Sequence, residues 1–315
     1  MSEQQQQQGK ETEHSEWFDR TQPEPADYHL NYIDGVSHSM LNVFRNSIQE
    51  FHKRFILKES VWKRTNAMVF GSAFHCWMLE RDRWDKQVAT QPNHNKVGKA
   101  NREAWNVFME ENKWKAWISE EDMVTILEME RAILSDSEAY KWMSGLEGRN
   151  EKMISWGASR DVLGVNCNVK CKPDRLIPKM LNEGMDTDVI VDLKTTNDVS
   201  PESIAKSCAS FNYHCQAALY IEGVKSMNGG DPCRHISVFI TKKAPFEIAC
   251  VEYDREALAL GRYLNKKTLI ELAKCLEEER FDGRTSHQLM EVGLPRWYVY
   301  KYQNELDEMA ASSNG

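Results

Sequence analysis

Val189-Ile190-Val191-Asp192-Leu193-Lys194-Thr195-Thr196 is the stretch on which the fold turns. Short apolar runs rich in Val and Ile predict a buried strand. On a strand, Asp192 and Lys194 stand two apart and point to one face. A carboxylate then sits beside an ammonium at the end of a hydrophobic strand. Asp174, 18 residues earlier, closes Lys170-Cys171-Lys172-Pro173-Asp174 and supplies a second carboxylate after another strand-like run. Two carboxylates and a lysine converging at strand ends suit metal-dependent cleavage of a phosphodiester. Mg2+ takes hard oxygen ligands and needs only one or two protein carboxylates. Such an ion activates water and stabilises charge on phosphate. Lysine adds a point charge to position the water or neutralise the developing oxyanion. The competing reading of Asp-x-Lys is an ion pair at a strand end.

Around this stretch lie 315 residues, 41% of them hydrophobic, with 10 Trp and 11 Phe, enough for one large domain or two small ones. The formal net charge of -8 argues against a surface coated in non-specific nucleic-acid contacts. It leaves room for a locally basic channel, because the field follows charge distribution. No apolar run approaches membrane-spanning length, and the first residues lack a signal-peptide apolar core. Eight scattered cysteines (76, 167, 171, 208, 215, 233, 250 and 275) fit reduced cytoplasmic thiols. Cys167 and Cys171 form no metal clip, since no second pair at matching spacing follows.

Residues 1–25, with five consecutive glutamines, are expected to form a disordered tail. Residues 26–145 form a mainly helical region. There Ser37 or Ser39 caps a helix with apolar positions Met40, Leu41, Val43, Phe44, Ile48 and Phe51, and Arg45 lies nearest its apolar seam as a candidate phosphate contact. A second helix runs from Asn66 to about Arg83. It contains Gly71-Ser72-Ala73, small enough for close backbone approach, and His75, which alone reads as a hydrogen-bonded core residue. Residues 94–144 read as charged amphipathic helix. From 146 to 303 the pattern becomes a meander of antiparallel strands, followed by a helix opened by Ser200-Pro201-Glu202. Another helix places Gln216 and Tyr220 on one face. Two more strands and a long helix, about Asp254 to Glu279, complete this core. Residues 304–315 are expected to be a disordered tail.

In this order the chain resembles the PD-(D/E)XK nuclease superfamily, through Pro173-Asp174 and Asp192-Leu193-Lys194. Within it the chain is most similar to the RecE-type exonuclease VIII family of phage and prophage recombination. Five features carry the likeness: Gly71-Ser72-Ala73-Phe74-His75 with Leu79-Glu80, Lys172-Pro173-Asp174, Val191 to Thr196, Tyr213-His214-Cys215-Gln216 with Tyr220, and Leu294-Pro295-Arg296-Trp297. The resemblance implies an α/β (α+β) fold with a restriction-endonuclease-like core, a central mixed β-sheet flanked by helices.

Implied activity is Mg2+-dependent 5′ to 3′ degradation of one strand of linear double-stranded DNA, with Mn2+ as substitute. The 3′ overhang would pass to a RecT-type single-strand annealing protein, and a trimeric or tetrameric ring would encircle DNA in the cytoplasm of a bacterial host. Carried over by motif, His75, Asp174, Asp192 and the Leu193 carbonyl hold one or two ions. Lys194 assists attack, Glu151 matches an acidic position before the signature, and Gln216 and Tyr220 match positions of DNA or active-site contacts; Arg45, read from its own helix and not from a motif, is a candidate DNA-phosphate contact. Departures are Asp rather than Glu at 192, Cys171 where glycine is usual, and a long acidic loop from Pro178 to Asp188.

Three other readings compete. A structure-specific or restriction-type endonuclease shares the core, but no separate DNA-reading module is recognisable. A non-catalytic DNA-end scaffold would have shed a catalytic group, and Asp174, Asp192 and Lys194 all remain. A metabolic enzyme using Asp-x-Lys as an ion pair has no cofactor motif, nor is there a Gly-x4-Gly-Lys phosphate loop.

Overall fold

The computed structural model describes residues 35–59, 65–92, 98–158, 167–284 and 289–312. The glutamine-rich leader lies outside them. The first helix, α1 (His38–Asn46), is capped by Ser37, whose hydroxyl accepts from the Met40 N–H at 3.4 Å. Ser47 is extended, interrupts the expected helix, and caps a short one over Ile48–Phe51 that ends in a π-helical turn, His52–Ile56. Next come α2 (Asn66–Leu79), β1 (Val88–Thr90), α3 (Lys99–Glu111), β2 (Ala116–Ile118) and α4 (Glu120–Ser135). The expected continuous helical stretch is therefore broken: β1 and β2 pair in parallel, Val88 opposite Ala116. Ser119 and Asp122 form a reciprocal capping box that fixes where α4 begins.

The core follows as β3 (Arg149–Asn150), β4 (Ile154–Ala158), β5 (Cys167–Cys171), β6 (Arg175–Ile177), β7 (Asp188–Thr196), α5 (Pro201–Phe211), α6 (Tyr213–Met227), β8 (Cys233–Thr241), β9 (Ile248–Glu252) and α7 (Arg255–Glu277). Beyond it lie α8 (Arg296–Tyr300) and α9 (Gln303–Ser312). Five strands form one mixed sheet in the order β3-β6-β7-β8-β9. β7 and β8 are parallel over nine residue pairs, Asp188–Cys233 to Thr196–Thr241, while the other neighbours are antiparallel. The antiparallel meander expected upstream of β7 is corrected: β4 and β5 pair with each other in a separate two-stranded sheet. α5 and α6 make the crossover that a parallel β7–β8 pair requires.

Alternation along β7 divides the core. Val189, Val191 and Leu193 pack with Phe70, Phe74, Ile126 and Met129 of α2 and α4 on one face of the sheet. Ile190 packs with Leu41, Phe44, Leu219 and Val224 of α1 and α6 on the other. Asp192 and Lys194 share the face of Ile190 and so point toward α6. The mixed sheet flanked by helices is the α/β architecture expected. Of the expected tail, residues 304–312 are helical instead, because Glu305, Leu306 and Met309 are good helix formers and Gln303 bonds Asp307 one turn on, at 2.9 Å; residues 313–315 lie outside the described ones.

Candidate active site

Register brings the acidic residues together. Arg175 of β6 lies opposite Val191 of β7, so the next residue out on each strand sets Asp174 against Asp192. Asn150 of β3 pairs with Arg175, and Glu151 one step on donates its N–H to the Asp174 carbonyl at 3.0 Å. Glu151 turns out of its strand with a φ of 54°, in the left-handed region. β6 has ended at this point, and the Asp174 carboxylate takes the Leu193 N–H at 2.7 Å in place of a neighbouring strand. A strand residue presents its N–H and C=O to the same side. The Leu193 carbonyl, on the same side of the strand as its N–H, therefore faces the Asp174 side. From across the sheet, α2 supplies His75, whose Nδ1 lies 3.4 Å from Asp174 Oδ2.

His75, Glu151 and Asp174 each offer a ligand atom, all within 4.8 Å of one another. They line a cavity of about 420 Å³ with Lys172, Gln216 and Tyr220. Two carboxylates and an imidazole form a donor set suited to Mg2+, Mn2+ or a similar divalent ion. Burial, reinforced by the Asp174 charge, pushes the Glu151 carboxyl up to about 8, although Lys172 sits 2.5 Å away. Burial also raises Asp174, with the Asp192 charge adding to it and His75 opposing it. A cation placed among such carboxyls offsets the burial and the mutual repulsion that raise them.

Asp192 is held differently. Its side chain is 1% exposed, and it pairs directly with the Lys194 ammonium. Burial alone would raise its carboxyl, but Lys194 and His235 outweigh that and hold it below the usual aspartate range. The lysine mirrors this: burial works downward, yet Asp192 and Asp174 keep its pKa above the ordinary value. Gln216 braces the pair, accepting from Lys194 Nζ at 3.1 Å and donating to Asp192 Oδ1 at 3.2 Å and the Tyr220 hydroxyl at 3.1 Å. The Tyr213 ring lies 4.8 Å from Lys194 Nζ.

The structure thus brings together His75, Glu151 and Asp174, with Asp192 and Lys194 ion-paired behind them and Gln216 between. Arg45 is elsewhere: its guanidinium donates to Thr268 at 2.9 Å and Asn265 at 2.5 Å on α7, and it does not line the cavity. Its place near the apolar seam makes it a tie between helices. Small residues Gly71 and Ser72 leave room for the cavity; a Cβ at Gly71 would meet Thr195 only at an ordinary 3.7 Å. Sequence reasoning passed over Lys172, Tyr213 and His38, a residue only 9% exposed that lines the cavity. Lys172 and Tyr213 stand inside quoted motifs; nothing local distinguishes His38.

A helix-flanked mixed sheet with one carboxylate just before β6 and another in the middle of β7 defines a PD-(D/E)XK-type core. Residues 37–288 match the family described as "PDDEXK-like domain of unknown function (DUF3799)", and the chain belongs to it. Its fold is similar to the crystal structure of a "putative exonuclease" from Eubacterium rectale, with a TM-score of 0.57 and 13% identity over 85% of this chain and 93% of that one. No curated protein matches the chain.

Proposed function

We propose that this chain is a Mg2+-dependent exodeoxyribonuclease. It degrades one strand of linear double-stranded DNA from 5′ to 3′ and leaves a 3′ overhang for annealing-based recombination. The observation that carries the nuclease reading is the meeting of His75, Glu151 and Asp174 in one cavity, with the Asp192–Lys194 pair behind them. Direction and recombination role rest on the RecE-type resemblance. With them come a RecT-type annealing partner, a trimeric or tetrameric ring, and a phage- or prophage-encoded protein in the bacterial cytoplasm. Among the described residues no helix is long and apolar enough to cross a membrane.

His75, Glu151 and Asp174 would hold the ion, with the Leu193 carbonyl turned to the same side. Bound there, a divalent cation supplies Lewis-acid activation of water and neutralises phosphate charge. Lys194, its pKa raised, stays protonated at neutral pH, so it acts as a fixed positive charge that orients the nucleophile and not as a base. Gln216 holds that charge and Asp192 in register. Tyr220 fixes Gln216 from the next helical turn.

Linear duplex labelled separately at its 5′ and 3′ ends tests this, incubated with Mg2+ or with EDTA. Early loss of the 5′ label as mononucleotides, abolished by EDTA, is the expected result. Early loss of the 3′ label reverses the assigned direction. Cuts in covalently closed circles make the chain an endonuclease, and end binding without metal-dependent product makes it a scaffold.

A further inference from the structure

One exposed flank of α7 carries a row of cations that the catalytic cavity does not use. Arg255, Arg262 and Lys266 fall at i, i+7 and i+11, which is one stripe of a helix. All three are exposed. They span about 16 Å along the axis. Lys267 and Tyr263, the latter 62% exposed, stand beside the stripe. None of these four cations is salt-bridged among the described residues, whereas Arg284 and Glu271, further along, neutralise each other at 2.9 Å. In a chain of net charge -8, an unneutralised row of this kind is a local reversal of sign.

The buried flank of α7, about 100° round the helix from that row, fixes where it points. Gly261 lies so close to α6 that a Cβ there would come 2.4 Å from the His214 carbonyl oxygen. One turn later Asn265 donates to the Cys215 carbonyl at 2.8 Å. α7 is thereby pressed onto the residues just before Gln216, which holds Asp192 and Lys194. Arg262 and Lys266 each follow one of these two anchors. The stripe is therefore carried, exposed, on a helix packed against α6, which lines the catalytic cavity through Gln216 and Tyr220.

We propose that the Arg255–Arg262–Lys266 face of α7 binds the phosphodiester backbone of duplex DNA beside the catalytic cavity. This rests on the nuclease reading and names the surface that seats its substrate. Duplex DNA presents one negative charge per ~1.7 Å of axis, matching a linear cationic stripe better than a compact anion would. Tyr263 adds a sugar-packing surface and a hydroxyl for phosphate beside it.

Binding of a fluorescent blunt duplex in EDTA, between about 50 and 200 mM salt, separates this surface from catalysis. Arg262→Glu with Lys266→Glu should weaken binding at least about tenfold and lower the salt slope by roughly 1.8, two phosphate contacts at ~0.9 each. Arg262→Lys with Lys266→Arg should keep affinity within about threefold, since a phosphate track needs charge more than fork geometry. Unchanged affinity and slope in the charge-reversed protein, or no duplex binding by the parent, overturns the proposal. So does a change in sedimentation without a change in slope, which makes the stripe a contact between copies. A parent that binds through α7 but hydrolyses nothing with Mg2+ or Mn2+ sinks the nuclease reading and leaves this surface standing.

Discussion

Lys194 and Asp192 stabilise one another because each alone would be a buried charge. Removing one partner of such a pair leaves the other uncompensated, at a cost of about 3–5 kcal/mol. Lys194→Ala should therefore lower the urea midpoint and also cut kcat for DNA hydrolysis by about 10²–10³. A variant that keeps full activity removes Lys194 from the chemistry. Gln216→Glu sets a carboxylate against Asp192 where an amide now donates. It should reduce kcat by roughly tenfold or more with little change in KM, because the residue positions charge. Two neutral histidines give a pH signature. Burial lowers His38 to about 3 and His235 to about 4, and among the described residues neither His235 ring nitrogen has a hydrogen-bond partner. The unfolded chain takes up protons near 6.5 that the folded one refuses. Their contribution is thus intact above that pH and lost as pH falls toward 4, by up to ~1.4 kcal/mol per unit for each histidine. Urea midpoints at pH 7.5 and 5.0 should show the fall, and His235→Phe should shrink it. An identical fall in that variant contradicts the assignment.

β7 was legible from sequence because its signal is dense. Six residues from Asp188 to Leu193 are buried, and the alternation that sends Asp192 and Lys194 to one face needs only a period of two. Ser200-Pro201 and Ser37 also announced their helices, since capping is local chemistry. What sequence could not give was partnership. β4 and β5 read as members of the same meander as β6, and only tertiary register separates them. Three-residue strands such as β1 and β2 carry too little pattern to stand out from flanking helix. Arg45 shows the same limit: its seam position was visible, its partners Asn265 and Thr268, more than 200 residues away, were not. Glycines on two helices mark contacts that matter. A Cβ at Gly223 would come 2.7 Å from the Trp156 ring and 2.9 Å from Cys171 Sγ, where α6 crosses β4 and β5. Gly223→Ala should destabilise by about 1–3 kcal/mol through overpacking, read as a lower urea midpoint with unchanged slope. A neutral outcome means that this contact yields.

At the scale of the whole molecule, His75 reaches the β6–β7 end from α2, so the helical region and the sheet share one site. That union was predicted only through the family resemblance; composition and periodicity are blind to it. Divalent ions should accordingly stabilise the fold across both parts. An ion at 100 times its Kd adds about 2.7 kcal/mol, a rise in Tm of several degrees. The rise should vanish in His75→Ala as well as in Asp174→Asn, and its survival in both places the ion elsewhere. The central claim is that this convergence cleaves phosphodiesters. The most direct measurement is release of acid-soluble nucleotides from linear duplex by the parent and by Asp174→Asn, each with Mg2+, with Mn2+ and with EDTA. Release by the parent with either ion alone, and at most a trace from the variant, is the predicted result. Release that persists in EDTA or in Asp174→Asn, or no release by a folded parent with either ion, contradicts it.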